Sequence, residues 1–429
     1  MTTTGKPAVD YDELIQDGGQ AGFRVHRLLY YDPAIFQEEM ENIFYKGWSY
    51  IGHESEVPHP GDYRLKRIGL QPVIMSRDDK GKVHVLLNRC AHRGNLVCRH
   101  EQGNAKVFTC IYHGWTYSND GKLLGVPYPS GYDERFRKED FSLASVPRMG
   151  EYRGFIFASL TQEGPGLEEY LGTARDYIDH FVDLSPSGQI ELSAGVQKVR
   201  VKANWKLQLE NVVDQYHVTM VHQSALPGRD PDDLIFMRDL GGGHAILDWW
   251  EQNRRANRVF YSGQAANQAP PSTEAELRHR RAIQERLGLE RAEHIFNSGP
   301  SHITIFPNLF LLFEQVRVVQ PVSVDECFIY FYPVLLKGAP PEINIGRVQR
   351  HNFGYGPAGF ISPDDCEVFE RTQQALVARE PEWLTFSRGL NRESFEVNDF
   401  GQRVLTSAGS DETAQRAIWR HYKSLMRQP

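Results

Sequence analysis

Cys90-Ala91-His92-Arg93-Gly94 and Cys110-Ile111-Tyr112-His113-Gly114-Trp115, with seventeen residues between His92 and Cys110, form the stretch whose reading decides the fold. Each half offers one thiol and one imidazole. Short alternating runs surround them: Tyr63–Ile68, Val73–Ser76, Val83–Leu87, Lys106–Cys110 and Phe155–Ser159. Turn signals separate the runs, among them His59-Pro60-Gly61-Asp62 and Asn119-Asp120-Gly121. Period-two alternation between Gly, Pro, Asn and Asp clusters predicts a small all-β unit. Both halves of the Cys/His motif then fall on loops beside strands.

One thiolate and one imidazole from each of two loops is the donor set of a Rieske [2Fe–2S] centre, in which two Cys hold one iron and two His the other. A structural zinc site also uses two Cys and two His. Zinc fingers usually draw the Cys pair from one segment and the His pair from another, so the mixed halves here favour the cluster. The places where respiratory-type relatives carry an extra Cys hold Asn95 and Tyr112. The residue after Gly114 is Trp115, which has no hydroxyl for a cluster sulfide and reads as core packing. Fewer hydrogen bonds to sulfur predict a lower potential, suited to a donor for oxygen chemistry.

A second signature lies about a hundred residues on: Asp214-Gln215-Tyr216-His217, four residues, then His222. Trp205–Met220 reads as its helix. Five residues amount to about 140° of an ideal helix, so the two imidazoles diverge unless the chain bends; a distortion is predicted at Val218–Val221. Two His and a carboxylate make a facial triad for non-haem Fe(II), leaving positions open for O2. The candidate carboxylates are Asp364 and Asp365, far downstream. Adjacent carboxylates commonly cap a helix and fill its first turn. Asp365 is the expected ligand and Asp364 its capping neighbour, although the sequence leaves the choice between them open.

The chain has 429 residues, 40% of them hydrophobic, enough for two or three domains with real cores. A net charge of −7 and a pI near 6.2 disfavour a nucleic-acid surface. The N-terminus lacks an apolar signal core. The most apolar run, Phe306–Val319, is interrupted by polar and charged residues and is too short to span a membrane. Of five Cys, Cys98, Cys327 and Cys366 remain outside the motif with no paired spacing, the usage of a reducing cytoplasm. Residues 1–46, Leu167–Phe181, Glu274–Glu293, Asp364–Arg379 and Asp411–Arg427 read as helical. Lys198–Lys202, Ile303–Val319 and Glu326–Leu336 read as β-structure, and residues 264–273 as a Gln/Ala/Pro-rich loop.

Together with Asn204-Trp205-Lys206, Asn211 through His222, Ile305-Phe306-Pro307-Asn308-Leu309 and Gly356–Asp365, these motifs resemble the large (α) subunit of the Rieske non-haem iron aromatic-ring-hydroxylating oxygenases. The resemblance spans nearly the whole chain, in order and separation. It implies an α+β fold: an all-β Rieske [2Fe–2S] domain inserted into a helix-grip catalytic domain with a central antiparallel sheet. The expected division is 1–46 as an N-terminal helical part of the catalytic domain, 47–165 as the Rieske domain and 166–429 as the mononuclear iron domain. Cys90, His92, Cys110 and His113 are then the cluster ligands; His217, His222 and Asp365 hold Fe(II). The resemblance also implies a trimer of α subunits, with Asp214 bridging His217 to His113 of the next chain. The plainer reading is that Asp214 only orients His217 within its own chain. The C-terminal stretch and the length resemble members that pair with a small β subunit, giving α3β3. No flavin or nicotinamide fingerprint is present, so electrons come from a separate NAD(P)H-dependent reductase, directly or through a ferredoxin.

The expected activity is O2-dependent cis-dihydroxylation of an aromatic ring in aromatic catabolism. Its rivals are a monooxygenase or demethylase on the same machinery, a Rieske electron-transfer protein, and a zinc scaffold. Substrate contact is expected from Val213, Phe306, Leu309 and Phe360, with Val212, Leu226, Ile303, Ile305, Leu311 and Phe313 nearby; all read equally well as core. Arg317 stands in an apolar strand-like run. It pairs with Glu314 or another acid, or grips a substrate carboxylate bidentately. The chain resembles relatives acting on benzoate-, salicylate-, anthranilate- or terephthalate-type acids, with Arg388 and Arg392 as further candidates for a carboxylate contact.

Overall fold

The computed structural model describes residues 9–18, 22–225, 234–260, 265–267 and 273–427. The chain divides into two compact units. Phe44–Leu167 with Ile190–Ser193 form one; the other is made of the chain on either side, so the first is an insertion in sequence.

The inserted unit is built from antiparallel sheets. One has four strands in the order Val83–Leu87, Gln71–Arg77, Asp62–Ile68, Gln102–Asn104. A three-stranded sheet runs Leu123–Gly125, Thr116–Ser118, Val107–Thr109, and another Arg148–Tyr152, Phe155–Ser159, Ser49–His53. The alternating runs read from the sequence all become strands. Short strands such as Gln102–Asn104, whose residues are all exposed, have no hydrophobic alternation to betray them. Ile74, Leu86, Phe108, Trp115, Tyr117 and Leu143 form a core that also encloses Cys90 and Cys110.

The second unit is organised by a nine-stranded antiparallel sheet. Its order is Gln197–Val201, Glu326–Pro333, Gln315–Ser323, Leu309–Leu312, His302–Ile305, His244–Asp248, Phe236–Gly241, Arg403–Ala408, Ser394–Val397. Register decides which side chains share a face, because successive residues of a strand point to opposite sides. Thr304, Phe310, Arg317 and Phe331 are cross-strand neighbours in one row. His302, Leu312 and Gln315, two residues away along their strands, stand on the same face. Ile303, Leu311 and Val316 make a row on the other face, as do Ile305, Leu309 and Val318. The sheet is packed on both sides, and apolar residues occupy both.

Several expected helices are shorter or broken. The N-terminal region is not wholly helical: Ile15–Asp17 and Phe23–His26 pair as a hairpin extended by Trp383–Thr385. Leu167–Phe181 splits into Leu167–Leu171 and Ala174–Asp183 around Gly172, whose φ is +46°. Glu274–Glu293 splits at Gly288, φ +80°, into Glu274–Leu287 and Leu289–Ser298. Glycine reaches these left-handed angles without the Cβ penalty. Of the stretch 264–273, Ala265–Asn267 is a strand paired with Arg258–Phe260, and Thr273 caps the helix that follows it; the rest lies outside the described residues. Pro341–Tyr355 is a helix that the sequence reading did not anticipate. No described helix is long and apolar enough to cross a membrane.

The segment bearing the second signature also differs from expectation. Trp205–Asn211 is helical, capped by the Asn204 side chain, which accepts from the Lys206 N–H. The chain then leaves the helix through residues 212–217 and resumes as the single turn Val218–Val221. The distortion therefore precedes the turn joining the two His, and Val218–Val221 itself is regular.

Candidate functional site

The two Cys/His loops share one conformation. The Cys90 N–H donates to the Asn95 carbonyl at 2.8 Å and the Gly94 N–H to the Cys90 carbonyl at 2.9 Å. In the second loop Cys110 donates to Trp115 at 2.8 Å and Gly114 to Cys110 at 2.9 Å. Gly94 and Gly114 sit at φ +73° and +70°, and a Cβ on Gly114 would meet Pro127 at 2.8 Å. These turns present the thiols inward, with Cys90 and Cys110 only 3% and 1% exposed. The imidazoles remain half-buried, their ring centres 4.5 Å apart. His92 lies flat on Trp115 at 4.9 Å and 4°. Its Nδ1 is buried without a hydrogen-bond partner, as a ligand nitrogen would be. Burial pushes the Cys110 thiol up, but the Tyr112 N–H and the Asn95 amide outweigh it and leave the thiol below its usual value. Two sulfurs and two imidazoles on paired loops fit a [2Fe–2S] cluster.

The sequence reading missed the groups around the sulfurs. The Tyr117 hydroxyl is 3.2 Å from the Cys90 sulfur and accepts the Ala91 N–H at 3.2 Å. The Asn95 amide reaches the Cys110 sulfur at 3.8 Å. Attention to the residue after Gly114 passed over Tyr117, two positions on.

In the larger unit His217, His222 and Asp365 come together, with one ligand atom from each within 4.8 Å of the others. His217 and His222 flank the Val218–Val221 turn, and their ring centres are 5.3 Å apart. Both Nε2 atoms point at Asp365 Oδ1, at 3.5 and 3.1 Å. Asp365 is buried in the first turn of helix Ser362–Ala375. Asp364 shares that turn but makes no cap hydrogen bond and is exposed, so its expected capping role is not observed. Burial pushes the His217 imidazole down, but Asp214 and Asp365 outweigh it and raise it to about 9. Burial likewise pushes Asp365 up, and His217 and His222 hold it well below the usual carboxylate range. His222 is 2% exposed, its Nε2 faces the Asp365 carboxylate, and its Nδ1 has no hydrogen-bond partner among the described residues. A buried imidazole left this way fits a metal ligand, and the donor set suits non-haem iron.

Two residues brace this cluster. Asp214 Oδ1 accepts the Tyr216 and His217 N–H groups at 2.6 and 3.2 Å, and its Oδ2 lies 3.7 Å from His217 Nδ1. Asn211 Nδ2 lies 3.3 Å from Asp365 Oδ1 and 3.2 Å from His217 Nε2.

A cavity of about 140 Å³ opens beside the cluster, lined by His217, His222, Asp365, Val212 and Arg317, with Trp249, His302, Leu312, Phe313, Tyr355 and Ile361 among its walls. Of the expected substrate contacts and their neighbours, Arg317, Val212 and Phe313 line it. Val213, Phe306 and Leu309 do not: they are 0%, 2% and 0% exposed in the surrounding core. Leu309 stands on the opposite sheet face, and the Phe306 ring packs edge-on against His421 at 5.0 Å. Phe360 is 52% exposed, against Phe353. Ile303, Ile305 and Leu311 also face away, and Leu226 lies outside the described residues.

Arg317 is 2% exposed, and burial lowers its pKa. Glu314 is not its partner; it pairs with Arg350 at 2.9 Å. Among the described residues no carboxylate lies within ion-pair distance of Arg317. Its Nε donates to Gln315 Oε1 at 2.8 Å and its Nη1 to Gln208 Oε1 at 3.4 Å. The guanidinium stands 4.8 Å from the centre of the Phe331 ring and 5.3 Å from that of Tyr355. Arg388 instead donates to Ser410, and Arg392 pairs with Asp411; neither lines the cavity.

A Cys/His loop pair and a His/His/Asp cluster in one chain are the donor sets of a Rieske-type non-haem iron oxygenase. Residues 47–147 match the Rieske [2Fe-2S] domain and residues 167–427 the ring hydroxylating alpha subunit (catalytic domain), and the chain belongs to that ring-hydroxylating family. It is 34% identical over 384 residues to the 2-halobenzoate 1,2-dioxygenase large subunit of Burkholderia cepacia, covering 87% of this chain and 81% of that protein. It is 33% identical over 386 residues to the anthranilate 1,2-dioxygenase large subunit of Acinetobacter baylyi, covering 86% and 81%. A naphthalene 1,2-dioxygenase structure with indole in its active site superposes with a TM-score of 0.84 at 27% identity, covering 98% and 95% of the two chains. The chain is thus an α+β oxidoreductase, the large subunit of a ring-hydroxylating dioxygenase, with a Rieske [2Fe–2S] cluster and mononuclear iron as its cofactors.

Proposed function

We propose that this subunit cis-dihydroxylates a single-ring aromatic carboxylate, with the carboxylate held by Arg317. The observation that carries the reading is the buried guanidinium, with no acidic partner among the described residues, lining the same small cavity as His217, His222 and Asp365. A buried charge is costly unless paired, and a carboxylate is the planar anion that a guanidinium fork matches. An engineered cavity of about 150 Å³ in another protein takes up benzene, so about 140 Å³ suits one ring. The 2-halobenzoate, anthranilate and toluate dioxygenase relatives support the same class.

In this reading Cys90, His92, Cys110 and His113 hold the cluster, and His217, His222 and Asp365 the iron. When bound, the cluster supplies electrons singly and the iron activates O2. The protein's own part is positional. Arg317 fixes the ring by its carboxylate while Leu312, Phe313 and Trp249 exclude water around it. Asp214 favours a proton on His217 Nδ1, leaving Nε2 free to ligate, and Asn211 steadies Asp365. Residues 47–165 act as the cluster domain within a catalytic domain made of 1–46 and 166–429. We further propose a cytoplasmic trimer, with Asp214 reaching His113 of a neighbouring subunit, a small β subunit completing α3β3, and a separate NAD(P)H-dependent reductase, with or without a ferredoxin.

The test has two parts. Anaerobically purified protein should contain iron in excess of acid-labile sulfide, no stoichiometric zinc, and a reduced Rieske EPR signal. With a reductase, an aromatic acid should yield a diol carrying both atoms of labelled O2. A product with one labelled atom makes the enzyme a monooxygenase, and zinc without sulfide removes the reading altogether.

A further inference from the structure

We propose that Phe313, stacked on Trp249, sets the size of ring the site accepts by walling the inner cavity off from a larger second chamber. That chamber has a volume of about 430 Å³ and is lined by Gln252, Asn253, Arg258, Phe260 and Phe353 among others. It shares four lining residues with the inner cavity: Trp249, Phe313, Tyr355 and Ile361. A side chain that lines both spaces stands between them.

Phe313 is the part of this wall whose placement most needs explaining. It occupies the two-residue turn between Leu312 and Gln315, which are paired across adjacent strands. Its φ is +40°, a region where a bulky side chain is an outlier and where hairpin turns favour Asn or Gly. Strained conformations persist where the surroundings over-determine them, often at functional sites. Here the surroundings are aromatic. The Phe313 and Trp249 rings are stacked, their centres 5.4 Å apart and their planes 7° from parallel, and His302 meets them edge-on at 4.8 and 4.5 Å. The strained turn aims the ring at the boundary, where Asn or Gly would leave a gap. Without it the two chambers merge into a space several times larger than the inner cavity.

The inference rests on the reading that the substrate ring occupies the inner cavity. The experiment uses the complete oxygenase with its reductase and two matched substrate pairs: benzoate with 2-naphthoate, and toluene with naphthalene. The readout is the bicyclic-to-monocyclic ratio of kcat/KM. Phe313→Ala should raise that ratio at least tenfold in whichever pair the wild type turns over, and Phe313→Tyr, which keeps the ring, should leave it unchanged. Phe313→Asn removes the ring while suiting the turn, so it should repeat the shift if the Ala variant folds poorly. An unchanged ratio in variants that still turn over the monocyclic compound overturns the proposal. So does a wild type that already prefers the bicyclic partner, or loss of all turnover in folded Ala and Asn variants. A shift confined to the neutral pair, with neither acid turned over by any form, upholds the partition and refutes the carboxylate reading.

Discussion

Replacing Arg317 by Met tests the carboxylate assignment most directly. Met roughly fills the volume of the stem and removes the charge. If the guanidinium binds the substrate carboxylate, the loss is that of a charge-assisted hydrogen bond, about 1.5–3 kcal/mol, or roughly 10- to 150-fold in kcat/KM for an aromatic acid. A neutral ring of the same size loses no such contact, so the acid-to-neutral ratio should fall by the same factor. The stability effects oppose one another. The variant strands the Gln315 and Gln208 carbonyls that now accept from Arg317, each costing about 1–3 kcal/mol. It also removes a guanidinium that is 2% exposed and has no acidic partner among the described residues, which gains several kcal/mol by the same logic that makes buried charges costly (~3–5 kcal/mol when left unpaired). The melting temperature should therefore stay near that of the wild type. The assay is a pair of steady-state series, benzoate and toluene, with a thermal melt of the same preparations. A variant that melts far below the wild type and yet keeps the acid-to-neutral ratio would refute the reasoning, since Arg317 would then be a structural cation.

Four further outcomes are expected. Asp365→Ala should lose the iron not matched by sulfide and keep the Rieske EPR signal, measured by metal and sulfide analysis. Tyr117→Phe removes the hydroxyl 3.2 Å from the Cys90 sulfur; because hydrogen bonds to sulfur raise cluster potentials, the midpoint in a redox titration should fall with the visible spectrum retained. Burial pushes Glu210 up to about 7, against the pull of the Tyr30 hydroxyl and the Trp419 N–H. The folded state thus holds a proton that the unfolded state releases near 4.5; stability is greatest below that pH and falls as pH rises through 7. Glu210→Gln, whose carbonyl can accept both hydrogen bonds, should flatten the melting temperature between pH 5 and about 8. Glu39 is fully buried and accepts from Trp205 and Tyr422, each at 2.8 Å, and from Lys206. Glu39→Ala strands the Lys206 ammonium and should cost about 3–5 kcal/mol in denaturant unfolding.

The metal ligands were legible because their chemistry restricts residue type and spacing. Cys90, His92, Cys110 and His113 announce themselves through two short motifs, and His217 and His222 through one. Asp365 is separated from its partners by more than a hundred residues, so no local spacing connected it to them; the triad's need for a carboxylate narrowed the choice to the Asp364-Asp365 pair. The cavity lining was far less legible. In a sheet buried on both faces, hydrophobicity does not reveal which parity of a strand faces the site. Leu309 and Leu312 look alike in sequence; register alone puts Leu312 in the cavity and Leu309 behind it. The break over residues 212–217 contains no Gly or Pro, so nothing local announced it. Asp214, accepting two N–H groups of its own turn, helps hold the chain out of the helix.

The parity of the central sheet has a consequence for how such a subunit diversifies. The residues that converge as the His/His/Asp cluster sit at or in helical segments: His217 and His222 cap Val218–Val221, and Asp365 lies in Ser362–Ala375. The residues that meet the cavity from the other side, His302, Leu312 and Arg317, come from strands. Inheritance can thus act on the two sets separately. A side chain on the sheet can be exchanged at constant backbone, changing which molecule is welcomed, while the helices preserve the reactive machinery. One scaffold can in this way pass through a succession of diets without having to reinvent its chemistry.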